Sequence, residues 1–330
     1  MMEAVPIAFV DALCATLKKK DLNILQEIGR RWTSTVTTHY SRRREFDACI
    51  QTNADETEVD ITICETPSAD VNRVAHVIAE NNIVHYTSLS KHDRIVKIGM
   101  QISDLVSLGD DYMSLERYRT KVEPVLNAWA DAYAFNSTHV RYTTSPRPEN
   151  ITGSVFSGLC APARKIRTAY FGGRCVEFIE QQIALGRLEH LELHGKEWPD
   201  TLRAHLKTFL RSPNFVSLDL SGNLKVDLDM LTCIVQRFFK GDLLKGNLRK
   251  GDPREGMPLQ GQRSEDLDPL YTAVRLGHTL PWSGRHIEPS YYLINGDSCF
   301  EVRQVEWTGP GHETLRAVFF ATSLTIYHTT

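Results

Sequence analysis

Apolar residues return at three- and four-residue steps from the start of the chain. Ile7, Val10, Leu13, Cys14 and Leu17 share one face of a predicted helix. Pro6 stands where that helix begins and where a missing N–H costs nothing. Leu22, Leu25, Ile28 and Trp32 repeat the spacing behind Asp21, a residue suited to an N-cap. Lys18, Lys19 and Lys20 fill the turn between the two helices, and a third short helix carries Val36, Tyr40 and the run Arg42–Arg44. From Phe46 the period changes. Val59, Ile61 and Ile63 alternate with polar residues as a half-buried strand, and Val96, Ile98, Met100 and Ile102 alternate as another. Helices are predicted over Ser68–Asn82 and over Tyr112–Ala130, the second with a kink near Pro124.

Further on, a longer repeat appears. Leu188, Leu191 and Leu193 have LxxLxL spacing; Phe215, Leu218 and Leu220 repeat it 27 residues later, followed by Asn223. Ile166, Ala169 and Phe171 fit 22 residues before Leu188. Helical patterns fill the gaps at Cys175–Leu185, Thr201–Leu210 and Val226–Phe239. This region resembles an irregular leucine-rich-repeat array, in which β–α units stack because none can hide its own apolar face. Residues 240–296 are rich in Gly, Pro, Arg and Asp with little periodicity, and are expected to be a loop insertion. Val302, Val305 and Trp307 restore the spacing as a last strand of the array, and Ala317–Tyr327 reads as a strand capping it.

The first helices also carry a family pattern. Pro6, Phe9-Val10, Leu13, Leu17, Asp21-Leu22, Leu25, Ile28 and Arg31-Trp32 stand in register with the F-box, so residues 3–45 resemble that motif. Lys18 replaces the Pro common after its first helix, and Ala8 the acidic residue common after its early Pro. The expected fold class is therefore α/β: an F-box-like helical hairpin over 3–45, then a leucine-rich-repeat-like β–α array over 46–330. The resemblance implies the substrate-recognition subunit of a cullin-based ubiquitin ligase. It would bind a Skp-type adaptor through Pro6, Ile7, Val10, Leu13, Leu17 and Leu22, and an unknown target through the repeat face.

Composition narrows the partners. The 330 residues are 42% hydrophobic and 24% charged, enough to bury a core. Lys plus Arg total 38 against 41 Asp plus Glu, a net charge of -3, which offers no basic footprint for nucleic acid. Neither a polybasic bias nor an apolar run of membrane-spanning length is present, so no membrane partner is expected. The segment Ala4–Leu17 contains Asp11 and is followed, not preceded, by its lysines, unlike a signal peptide. Seven cysteines, an odd number with no CxxC pair, read as reduced thiols of a cytoplasmic or nuclear protein.

No phosphate-binding loop, nucleophile elbow or HExxH motif is present, and neither catalysis nor a cofactor is expected. In a repeat array, the residues between the core leucines line the open face. Those are Thr168 and Tyr170; His190, Glu192 and His194; Ser217, Asp219 and Ser221; Gln304 and Glu306. Among them Tyr170, His190, Glu192, His194, Asp219 and Glu306 are the candidate target-binding residues. Counted this way the row holds three carboxylates and no Lys or Arg, which predicts a basic partner. Two other readings stand beside this one. The first is a repeat scaffold with no ubiquitin link. The second is a metal-dependent hydrolase built on His190, Glu192 and His194, which share one strand face.

Overall fold

The computed structural model describes residues 6–17, 19–27, 32–52, 58–65, 83–102, 112–127, 132–136, 150–195, 197–243, 257–276, 278, 284–294, 298–309 and 313–329. The chain is mixed α/β and divides into two compact units, Met1–Ala161 and Pro162–Thr330. Residues 46–161 therefore group with the N-terminal helices.

In the first unit, α1 (Ile7–Thr16), α2 (Lys19–Gln26) and α3 (Thr33–Arg42) close around Val10, Cys14, Leu22 and Val36, with Leu17, Leu25, Trp32 and Tyr40 packed against that cluster. Helix α2 starts at Lys19, so Asp21 lies in its first turn instead of capping it, still beside the positive end of the dipole. Ile28 and Arg31 of the F-box-like pattern lie outside the described residues. A sheet follows, built from β1 (Glu45–Thr52), β2 (Glu58–Glu65), β3 (Ile83–Val84), β4 (Arg94–Ile102), β5 (Met113–Ser114) and β6 (Ala132–Asn136). Its order is β6-β4-β1-β2-β3, with β5 also on β2. Strands β1, β4 and β6 are parallel, and β2 joins β1 antiparallel. Phe46, Ala48 and Ile50 of β1 are buried in alternation, as a strand with one covered face requires.

The helix expected over 112–130 is present in pieces. It runs as α4 (Leu115–Arg117), a wide π-helical turn at Tyr118–Val122, and α5 (Glu123–Asn127). Pro124 has no N–H for the carbonyl of Thr120 four residues earlier, and the wide turn absorbs that mismatch. The unit ends with α6 (Asn150–Gly158). The helix expected over 68–82 lies outside the described residues.

The second unit alternates strictly at first: β7 (Lys165–Ala169), α7 (Gly173–Ala184), β8 (His190–Gly195), α8 (Leu202–Leu210), β9 (Ser217–Val226), α9 (Leu228–Phe239) and β10 (Leu259–Arg263). Strands β7 to β10 are parallel neighbours in chain order. Helices α7, α8 and α9 lie side by side. Ile166, Leu191 and Leu218 stand level across the strands and are fully buried, as are Thr168, Leu193 and Leu220 one pleat on. Each such leucine contributes about 1.5–3 kcal/mol by leaving water. Asp227 caps α9 by accepting from the Met230 N–H at 2.8 Å.

Four expectations differ from the observed fold. The first concerns the early repeat unit, which is offset. Ile166 and Thr168 face inward, whereas the sequence pattern had set Thr168 on the open face beside Ala169 and Phe171 inside. Thr168 hides its hydroxyl by donating to the Ala169 carbonyl, so a polar residue serves as a core position. The second concerns residues 240–296, which are not a structureless insertion. They supply β10, α10 (Asp268–Leu276) and β11 (Arg285–Ile294). The sequence of β10, Leu-Gln-Gly-Gln-Arg, lacks an apolar stripe because one inward position is Gly261, set against Leu220 and Val226. Third, Val302, Val305 and Trp307 belong to β12 (Ser298–Thr308), which is not a further parallel strand but pairs antiparallel with β11 and with β13 (Thr314–Phe319). The single cap strand expected over 317–327 is broken at Ala321-Thr322 into β13 and β14 (Ser323–Thr329). Alternation marks a strand's buried face but names neither its neighbour nor its direction. The order in this unit is β11-β12-β13-β14-β10-β9-β8-β7.

Candidate functional site

Two surfaces hold the residues singled out by the sequence. The first is the helical face of α1–α3. Val10 and Leu22 are 1% and 0% exposed and form the core between the helices, so they hold the hairpin together and present nothing outward. Leu13 and Leu17 are half-buried, Pro6 is exposed, and Ile7 is 70% exposed. Phe9 and Ile24, absent from the predicted docking set, are 58% and 59% exposed. Large apolar side chains this open on a closed core are the unusual observation. A count of sequence positions off the α1 core stripe would have found Phe9.

Polar clasps fix these helices within their unit. His39 on α3 is buried and donates through Nε2 to Asp11 Oδ1 of α1 at 2.8 Å. Its other ring nitrogen stands 3.5 Å from His92 Nδ1, in the turn before β4. The hydrogen bond from His39 holds the Asp11 carboxyl below its ordinary range. Burial, then the charges of His39, Lys91 and Arg42, push the His92 ring down. Arg44 grips Asp93 with two nitrogens at 2.9 and 2.6 Å, and Arg43 donates to the Cys14 carbonyl. Bidentate geometry of this kind fixes orientation as well as adding energy.

The second surface is the open face of β7–β10. Strand pairing sets Lys165, His190 and Ser217 in one row and Arg167, Glu192, Asp219 and Gln260 in the next. His190, Glu192 and His194 do share a face, as their spacing predicts. Besides the 3.7 Å approach of His194 Nε2 to Glu192, their bonds run to neighbouring strands. His190 Nδ1 meets Ser217 Oγ at 2.8 Å, His194 Nε2 accepts from Arg167 Nε at 3.1 Å, and Ser221 donates to Asp219 at 2.6 Å. Glu192 lies 3.3 Å from Lys165 and 3.4 Å from Arg167. Burial works against its charge, but His194, Lys165 and Arg167 outweigh it and hold the carboxyl down at about 2. Among the described residues, no group of three or more His, Cys, Asp or Glu side chains is placed to hold a metal ion.

At the rim, Tyr170 packs edge-on against the buried Trp198, centroids 5.4 Å apart, and the indole N–H donates to the His194 carbonyl. Asn223 ties this rim to the next unit. Its Oδ1 accepts from the Trp198 N–H at 3.1 Å and its Nδ2 donates to the Trp198 carbonyl at 2.9 Å. Gly222 lets β9 pass β8 closely enough for this, since a Cβ there would overlap the Gly195 carbonyl oxygen. Glu306 is on β12, far along the sheet from Asp219, and is gripped by Arg285 at 2.7 Å and Arg316 at 2.9 Å. Hydrogen bonds from Arg316 and Arg285 hold its carboxyl below the ordinary range.

Lys165, Arg167, Arg285 and Arg316 are the face residues that sequence reasoning missed, and they overturn the expectation of a face without cations. The three-residue offset in the first repeat unit concealed Lys165 and Arg167. The alternation Lys165-Ile166-Arg167-Thr168 carries the signal once Thr168 is read as inward.

The chain matches no protein-family model, no curated protein and no solved structure. No helix among the described residues is long and apolar enough to cross a membrane.

Proposed function

We propose that the protein is a substrate-recognition subunit of a cullin-based ubiquitin ligase. Helices α1–α3 dock a Skp-type adaptor, and the open face of β7–β10 receives the target. The observation that carries the reading is the exposure of Ile7 and Phe9 at the start of α1, above a core already closed by Val10, Cys14, Leu22 and Val36. An apolar surface that the hairpin's own core does not need is what a partner interface requires. It coincides with the segment whose sequence resembles an F-box. The target half is supported by the β–α order of β7–β10 and by Asn223, which bonds the backbone of the preceding unit from the repeat's asparagine position.

The docking set becomes Pro6, Ile7, Phe9, Leu13 and Leu17, with Val10 and Leu22 beneath it. Co-purification with a Skp-type adaptor tests the reading. Wild type should retain the adaptor, Ile7→Asp and Phe9→Asp should lose it while keeping the wild-type circular dichroism, and Ile24→Asp on α2 should lie between. Failure of the wild type to bind, or unchanged binding by both α1 variants, would overturn it.

A further inference from the structure

The side of the sheet that carries Glu192 repeats one arrangement at two places in the second unit. On β8, Glu192 is only 13% exposed, and Lys165 and Arg167 of β7 stand beside it at 51% and 44%. On β12, Glu306 is 7% exposed, with Arg285 of β11 at 77% and Arg316 of β13 at 41%. Each cluster hides one carboxylate and shows two cations. Among the ion-paired groups each therefore has one cation more than carboxylates, and the cations are the accessible part; Asp219, level with Glu192 on the next strand, offsets that excess at the first cluster. The pairings Asp219 to Gln260, Thr325, Val318 and Gln304 trace one side of the sheet from β9 through β10, β14 and β13 to β12, although Thr325, Val318 and Gln304 are themselves buried, so the two clusters flank a covered stretch. Arg316 and Glu306, directly opposed and two residues from Val318 and Gln304, lie on that same face. Five strand steps separate β8 from β12, about 24 Å at about 4.8 Å per step.

We infer that this face binds a protein partner presenting two acidic clusters about 24 Å apart, one to each cation pair. This deepens the receptor reading and rests on its target-binding half alone. It reverses the sign expected from the sequence, because two of the three carboxylates counted there, Glu192 and Glu306, lie beneath cations. A carboxylate partner fits better than nucleic acid. The cations form two separate pairs, Asp219 lies between them, and the chain's net charge is -3, whereas a phosphate backbone calls for a continuous basic track.

The test uses a fluorescein-labelled peptide with two Glu-Asp pairs separated by seven Ser/Gly residues, which span about 23 Å when extended. Its controls are a peptide with one such pair, the same peptide with Lys-Arg pairs, and a dT oligonucleotide of equal length. Full-length protein is titrated by fluorescence anisotropy at low and physiological salt. The two-pair acidic peptide should bind at least threefold more tightly than the one-pair peptide, and the basic peptide should not bind. Lys165→Gln and Arg285→Gln each leave one cation on the carboxylate beneath. Each should weaken binding by about 1.5- to 5-fold, the value of one exposed ion pair, with the effects multiplying in the double variant. Equal binding of acidic and basic peptides, no response to either substitution, or tighter binding of the oligonucleotide would overturn the inference. Adaptor co-purification on the same samples separates the two ideas. Adaptor retained with no acidic-peptide binding removes only the charge assignment; acidic-peptide binding with no adaptor removes only the ligase role.

Discussion

Glu192 gives the sharpest test of how the open face is held together. Its carboxyl sits at about 2 against an ordinary 4.5, so the charged form is favoured in the folded chain. That difference corresponds to at most about 3 kcal/mol. Lys165 and Arg167 are about half exposed and screened by water, which brings the expected contribution down to about 1–2 kcal/mol. The folded-state value is depressed, so the stabilisation is present in full above the unfolded value near 4.5. It is lost as the pH falls from there towards 2. Glu192→Gln keeps the shape and removes the charge. In urea denaturation at pH 7 followed on the second unit, the variant should be about 1–2 kcal/mol less stable than wild type. The gap should close as the pH is lowered towards 2, because the wild-type carboxyl protonates and the amide does not change. Taking the difference between the two proteins cancels the other titrating groups. A gap below about 0.3 kcal/mol at pH 7, or one that stays constant down to pH 2, would refute the reasoning, since either result means that the cations do not act on a charged Glu192.

Other expectations follow from the packing. Gly222→Ala should cost about 1–3 kcal/mol and lower the melting temperature, because the added methyl meets the Gly195 carbonyl; Gly173→Ala, whose methyl meets nothing within 4 Å, should be neutral. Asn223→Ala removes both bonds to the Trp198 backbone and should cost about 1–2 kcal/mol, seen as faster hydrogen exchange at the Trp198 amide. In native protein, iodoacetamide should label the exposed Cys160 and spare Cys175, whose thiol burial pushes up to about 12; mass spectrometry of the digest reads both sites.

The parts of this molecule legible in its sequence are those where one apolar stripe decides the outcome. Helices α1–α3, α7, α8 and α9 were visible because their buried positions recur at helical steps, and β8 and β9 because Leu191, Leu193, Leu218 and Leu220 alternate with polar residues. β7 was found in the wrong phase, since its second inward position is Thr168, a residue whose hydroxyl is satisfied locally and whose type gives no hint of burial. β10 was missed because Gly261 takes an inward place where a side chain would press tightly on Leu220 and Val226. The reversal of direction at β11–β14 depends on hairpin turns such as Ala321-Thr322 and on which edge is free to pair, and neither is encoded in hydrophobic period. The candidate site suffered most from this. A phase error in one strand put Thr168 in the place of Arg167 on the open face and so hid a cation beside Glu192.

The inferred acidic partner has a physical logic of its own. A free lysine or arginine loses about 2 kcal/mol of side-chain entropy when a partner fixes it. Here Glu192 and Glu306 already hold the four cations in place, so part of that ordering is complete before any partner arrives. The carboxylates subtract from the net charge of each cluster while fixing where its positive charge stands, and position is what discriminates between partners. On this argument Glu192→Gln should raise the net charge of the face yet blur its geometry. The two-pair acidic peptide should then bind with a steeper salt dependence and a smaller advantage over the one-pair peptide. An unchanged advantage would mean that charge alone, without the spacing set by the buried carboxylates, governs recognition at this face.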